Sequence, residues 1–210
     1  MNRTPHACIA LLAALCATGL PALHPVAAEP PAAAPRVVVP QDGRRSPGAP
    51  LRFHDNRDGT LTDLVTGLMW EKKCAGCGGP HDVALQLAWS GDGRTDTIWD
   101  WLRELNRADG TGFAGHADWR IPTIKELVSI VDYAELHPAV PVSFHAEACS
   151  PACTDATRPE CSCTASWEYW TATTFADFPA HALVVRFNLG FVEDRLKTLP
   201  RHVRAVRGGR

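Results

Sequence analysis

The apolar residues change their spacing several times along the chain, and each change predicts an element. Over residues 52–70 extended segments flank a turn signal, Asp55-Asn56-Arg57-Asp58-Gly59, with Phe53 before it and Thr60-Leu61-Thr62 alternating after it. An Asp-Gly pair between extended runs predicts a hairpin, and Gly67-Leu68-Met69-Trp70 predicts a buried strand behind it. Residues 74–95 are rich in glycine and polar side chains and read as a long loop with one short ordered piece over 85–89. Ile98, Trp101, Leu102 and Leu105 then recur at helical spacing, capped by Asp96 or Thr97 and ended at Asp109-Gly110. A second helix starts where Thr123 and Glu126 form a capping box, with Ile124, Leu127, Ile130 and Val131 on its apolar face. Residues 134–165 show no period. Strand spacing returns over 169–173, 182–188, 191–193 and 203–206, with Asn188-Leu189-Gly190 as a hairpin turn.

Composition divides the chain. Nine of its 17 prolines lie in the first 50 residues, whereas all seven tryptophans lie beyond them. Arg3, the apolar run 7–20 and the small residues Val26-Ala27-Ala28 read as a signal peptide over 1–28, cleaved after Ala28. A membrane anchor fits less well, because Pro21 and Pro25 break a run already short of the roughly 20 residues that span a bilayer. A lipid attachment signal fits poorly too, since bulky Leu15 precedes Cys16. Residues 29–50 read as a Pro/Ala-rich disordered linker, which leaves 51–210 as the folded domain. The expected destination is periplasmic or extracellular, with no membrane span after cleavage. A net charge of −2 argues against a nucleic-acid partner.

Export also changes the meaning of the cysteines. Without Cys8 and Cys16, six remain: Cys74, Cys77, Cys149, Cys153, Cys161 and Cys163. An even number in an oxidising compartment favours disulfides. Spacing suggests a local Cys74–Cys77 bridge and a second group that staples residues 149–163 to itself, both groups on loops rather than in the core. A metal or redox use fits less well. Gly78-Gly79-Pro80 after Cys77 discourages the helix a thioredoxin-type site needs, and zinc would have to recruit Cys161-Ser162-Cys163 as its other half.

Other candidate chemistry is sparse. The acidic residues near Gly59 fail the spacing of a calcium loop, because taking Gly59 as the sixth position puts His54 first and Val65 twelfth. The seven histidines left after cleavage show no metal-ligand spacing, and no serine lies in a nucleophile turn. Glu193-Asp194 read as solvated edge residues rather than a catalytic dyad. No catalytic residue, metal or cofactor is therefore expected. Residues 186–210 carry Arg186, Arg195, Lys197, Arg201, Arg204, Arg207 and Arg210 against Glu193 and Asp194, a basic excess suited either to an acidic or sulfated polysaccharide or to an ordinary charged strand edge. Within it Arg201, Arg204 and Arg207 are the candidate ligand contacts. Trp89, Trp99 and Trp167 are the tryptophans least committed to the core and could stack on sugar rings.

The ordered blocks RFHDNRDGTLTD, TGLMWEKK, FAG, DWRIPTIKEL, EYWTATT and HVRAVRGG resemble the C-terminal domain family of the Legionella collagen-like protein, over residues 51–209. The resemblance implies a C-type-lectin-like α+β fold: an antiparallel sheet in which the chain ends meet, two short helices, and long loops, here disulfide-stapled. It further implies an exported bacterial binding module for adhesion through polysaccharide or glycosaminoglycan. Trp119 and Trp170 would then fill the core, and Arg204 would pair inside the sheet. The alternatives are a structural envelope protein without a small ligand, partnered by another envelope protein, or a cysteine-dependent oxidase related in fold to the formylglycine-generating enzymes. The cysteines depart from the usual family pattern. No collagen-like Gly-X-Y run is present, so trimerisation by that route is not expected.

Overall fold

The computed structural model describes residues 51–209 apart from 92, 94, 95, 147, 148 and 150–152. The expected signal peptide and linker lie outside the described residues.

Strands β1 (Phe53–Asp55), β2 (Thr60–Asp63) and β3 (Leu68–Glu71) form an antiparallel meander. The Asp-Gly signal works as expected: Asp55 Oδ1 accepts from Arg57 N at 2.8 Å, and Asp58 Oδ1 accepts from Thr60 N at 3.0 Å. These are Asx caps that tighten the turn. After β4 (Gln86–Ala88) comes α1 (Ile98–Arg107), whose N-cap is Thr97, in a full capping box with Asp100. Helix α2 (Ile124–Val128) carries the expected Thr123–Glu126 box, but it ends after five residues, so Ile130 and Val131 pack from the following turn. Such a cap contributes about 1 kcal/mol, which matters for so short a helix.

The C-terminal half supplies β5 (Glu168–Thr174), β6 (His181–Arg186), β7 (Phe191–Leu196), β8 (Pro200–His202) and β9 (Val206–Gly208). The β6–β7 turn needs Gly190: its φ is +78°, and a Cβ there would sit 2.6 Å from Val131 Cγ1. The resulting fold is α+β with two sheets rather than one. The smaller runs β1-β2-β3-β9 and the larger β4-β8-β5-β6-β7. The larger is not wholly antiparallel, because β5 and β8 run parallel at Tyr169 and His202. A single strand over 203–206 is therefore corrected. β8 lies between β4 and β5 in one sheet, Val203-Arg204-Ala205 crosses the interior, and β9 joins the other, beside β3. The first and last strands of the domain are thus the two edges of the smaller sheet.

Two apolar cores result. Leu61, Trp70, Leu127, Phe144, Tyr169, Val185 and Phe187 belong to one, and Ile98, Trp101, Leu105, Trp119, Trp170, Val184 and Val203 to the other. Full burial of side chains this large contributes about 1.5–3 kcal/mol each. Trp101, Trp119 and Trp170 also donate their indole N–H to the carbonyls of Pro80, Phe113 and Leu87. Each apolar body thereby pins a neighbouring segment by its one polar atom. Arg120 clamps Glu126 through two hydrogen bonds, at 2.8 and 2.6 Å, and reaches Gly208 O at 3.1 Å, which ties α2 to β9.

Candidate ligand-binding face

The three arginines singled out from sequence do not form one patch. Arg201 lies on β8 and pairs with Glu168. Arg207 lies on β9 and holds Asp118 at 2.7 Å. Arg204 lies between the sheets, 1% exposed. Its crossover position explains the burial: the chain must pass through the interior to change sheets. Arg204 is therefore not a surface ligand contact. It donates to Cys163 O at 2.6 Å and Thr164 Oγ1 at 2.9 Å, and lies 5.1 Å from the Phe144 ring.

Arg201 instead belongs to a lattice across β5–β8 that sequence reading missed. Glu168 opens β5 with its side chain buried, and accepts from Arg195 Nε at 2.9 Å, Arg195 Nη2 at 2.5 Å, and Arg201 Nε. Arg195 also pairs with Glu193, and Arg186 approaches Glu193 at 3.8 Å. Three guanidiniums thus share two carboxylates. Burial opposes ionisation of Glu168, but the Arg195 hydrogen bonds and the charges of Arg201 and Arg195 outweigh it and hold its carboxyl below the usual range. The Glu168 hydrogen bond in turn raises Arg195. Arg186 is the least satisfied of the three. Its Nε has no hydrogen-bond partner among the described residues, and its guanidinium stacks 4.6 Å from the ring centroid of Trp167.

Trp167 is 45% exposed, unlike the four core tryptophans. A second cation–aromatic pair stands at the other end of the strand: Lys197 lies 3.9 Å from the Trp89 ring and donates to Thr174 Oγ1, where β5 ends. Trp89 and Trp99 meet edge to face at 4.9 Å. No charge or spacing rule marks Glu168 in sequence, because its partners lie 27 and 33 residues away.

A second charged group lies inside. Glu71, Lys72, Lys73 and Arg204 are all buried. Glu71 pairs with Lys73 and with His81 at 2.8 Å each, and accepts from Ala205 N at 2.9 Å. Burial alone would raise the Glu71 carboxyl, but Lys73 and His81 outweigh it and hold it low. Lys72 pairs with Asp55 and donates to Arg158 O. This group joins β3 to the crossover and gives the WEKK block a structural role.

The cysteines form three disulfides: Cys74–Cys77, Cys149–Cys163 and Cys153–Cys161. The grouping into two and four matches the spacing. Their placement outside the core is corrected: all but Cys77 are buried, and the six pack together as a third cluster. Ala75 N donates to Cys153 O at 2.6 Å, so the two groups share one unit. Among the described residues no helix is long and apolar enough to cross a membrane.

No curated protein is significantly similar to the chain. Residues 59–207 match the model of the Lcl C-terminal domain, a span running from the first hairpin turn to the last strand and so taking in both sheets apart from β1, the charged lattice and the cysteine cluster. The chain belongs to the Lcl C-terminal domain family.

Proposed function

We propose that this domain is an exported, non-catalytic binding module that takes an acidic or sulfated polysaccharide on the face formed by Trp167, Arg186, Arg195 and Arg201. The observation that carries this reading is Trp167, exposed and stacked by a guanidinium, beside a lattice whose arginines outnumber its carboxylates. An indole face stacks on a sugar ring, and an adjacent incompletely paired arginine takes a sulfate or carboxylate. Disulfides suit an oxidising compartment, which supports export. The pairing of all six cysteines speaks against a cysteine-dependent oxidase.

Salt-gradient elution from a heparin column tests the reading. The wild-type domain should be retained, a Trp167→Ala/Arg186→Ala variant should elute at clearly lower salt, and Arg207→Ala should change little. Equal elution of all three would refute the assigned face. A second reading, a structural protein that docks on an envelope partner, draws on edge strand β7, where Phe191, Val192 and Leu196 are each about half exposed. No retention on any polysaccharide, together with association lost in Val192→Lys, would favour it.

A further inference from the structure

Cys149–Cys163 and Cys153–Cys161 are not independent staples. The second loop is nested inside the first, and Cys163 Sγ lies 3.1 Å from Cys153 Sγ, in the other bridge. The sulfurs of Cys149, Cys153 and Cys163 all lie within 4.8 Å of one another, and Cys161 Sγ is bonded to Cys153. Three of the four sulfurs therefore share one buried volume, and the fourth, Cys161 Sγ, joins it through its bond to Cys153. A tetrahedral tetrathiolate site with zinc–sulfur bonds of about 2.3 Å has sulfur–sulfur edges of about 3.8 Å. The 3.1 Å between Cys163 and Cys153 is shorter than that edge, and Cys149 and Cys153 lie within 4.8 Å of each other.

The charges around the cluster supply a second, independent observation. Lys72, Lys73 and Arg204 are buried beside it, against the carboxylates of Glu71 and Asp55. The side chains of Arg204 and Lys72 and the main chain of Lys73 are tied to the cysteine loops. Arg204 Nη2 donates to Cys163 O, Lys73 O accepts from Cys163 N, and Lys72 Nζ donates to Arg158 O between Cys153 and Cys161. Arg204 Nε and Nη1 have no hydrogen-bond partner among the described residues. A divalent cation held by four thiolates carries a net charge of −2. A surplus of buried positive charge favours thiolate over thiol and lowers the cost of burying such a complex.

We propose that Cys149, Cys153, Cys161 and Cys163 form a redox-exchangeable metal site: the reduced chain holds one soft divalent cation of the zinc class there, and the oxidised chain holds two disulfides in the same place. Two equivalents of an external dithiol open the two S–S bonds, leaving four cysteine thiols and two disulfides on the reductant. Zinc binding then forms four Zn–S bonds and releases the four thiol protons. Re-oxidation by a disulfide oxidant reverses the sequence: both protein disulfides re-form, the oxidant takes up the electrons, and the cation leaves. Each bonded pair of sulfurs parts by about 2 Å to reach that edge, with the same backbone holders in both states. Cys74–Cys77 takes no part; Cys74 Sγ faces His81 O at 3.2 Å.

Anaerobic titration of the fully reduced chain with Co²⁺ tests this, read by the thiolate-to-metal charge-transfer band and by circular dichroism. The expected result is saturation at about one Co²⁺ per chain, displacement by Zn²⁺, and loss of the band in Cys161→Ser/Cys163→Ser but not in Cys74→Ser/Cys77→Ser. If the reduced apo chain unfolds, the metal should restore its structure, which supports the site equally. Absence of the band, or a band that survives Cys161→Ser/Cys163→Ser, overturns the proposal.

Discussion

Replacing Glu168 by Gln separates stability from binding, because the two should move in opposite directions. The carboxylate is almost wholly buried and meets Arg195 and Arg201, whose side chains are 30% and 17% exposed. At about 4 Å and an effective dielectric of about 20, each ion pair is worth about 4 kcal/mol before desolvation. Water on the arginine side and the hydrogen bonds a glutamine keeps both reduce the loss. The net cost should fall between the less than 1 kcal/mol of an exposed pair and the 3–5 kcal/mol of a broken buried one, at about 2 kcal/mol. In urea unfolding, with a slope of about 2 kcal/mol per molar, the midpoint should drop by about 1 M at unchanged slope. Below that midpoint two arginines lose their carboxylate, so the folded variant should bind heparin more tightly than wild type and with a steeper salt dependence. An unchanged midpoint would refute the stabilising role of Glu168. Weaker heparin binding by a folded Glu168→Gln variant would refute the assignment of the arginine face.

Other outcomes follow from single features. Thr123→Ala removes one half of a capping box on a five-residue helix and should cost about 1 kcal/mol in denaturant unfolding. Serine replacement of Cys149 and Cys163 should destabilise by about 3 kcal/mol, and of Cys74 and Cys77 by about 2 kcal/mol, because the loops differ in length; the reverse order in thermal unfolding would contradict the chain-entropy account. Burial holds His202 and His145 below the usual imidazole range. A folded pKa below the unfolded one means that the unfolded chain takes up more protons as the pH falls. Stability should therefore be full above about pH 6.5 and decline as the pH falls through the lowered folded values, with Glu71, Glu168, Asp63 and Glu126 adding to the loss below about pH 4. A His202→Gln variant should flatten the first limb of a pH–stability curve.

The sequence was legible where a rule is local. Thr123 and Glu126 are three residues apart, Asp58-Gly59 is a dipeptide, and Cys74 and Cys77 can reach only across a short loop, so spacing alone locates their structures. It was misleading where position in the fold overrides residue type. By residue type Arg204 read as a ligand contact, whereas the family resemblance put it inside the sheet; it and Lys72-Lys73 are in fact buried, where Glu71, Asp55 and main-chain carbonyls receive them. A charged run directly after the buried Trp70, and an arginine between Val203 and Ala205, were the available signals. The break between β8 and β9 left no mark, because Val203, Ala205 and Val206 are as apolar as a strand would be. The proposed ligand face was half legible. Arg201 and Trp167 stood out by type, whereas Arg186, Arg195 and Glu168 come together only through the register of β5, β6 and β7.

Titration calorimetry of a sulfated polysaccharide against the wild-type domain and Trp167→Ala, side by side, is the most direct measurement. Trp167 is exposed and belongs to no core cluster, so its removal should change the unfolding free energy by no more than about 0.5 kcal/mol. Loss of the stacking platform should weaken binding about tenfold, or about 1.4 kcal/mol. Equal affinities for the two proteins, or no heat with wild type, would contradict the assignment of this face as the binding site.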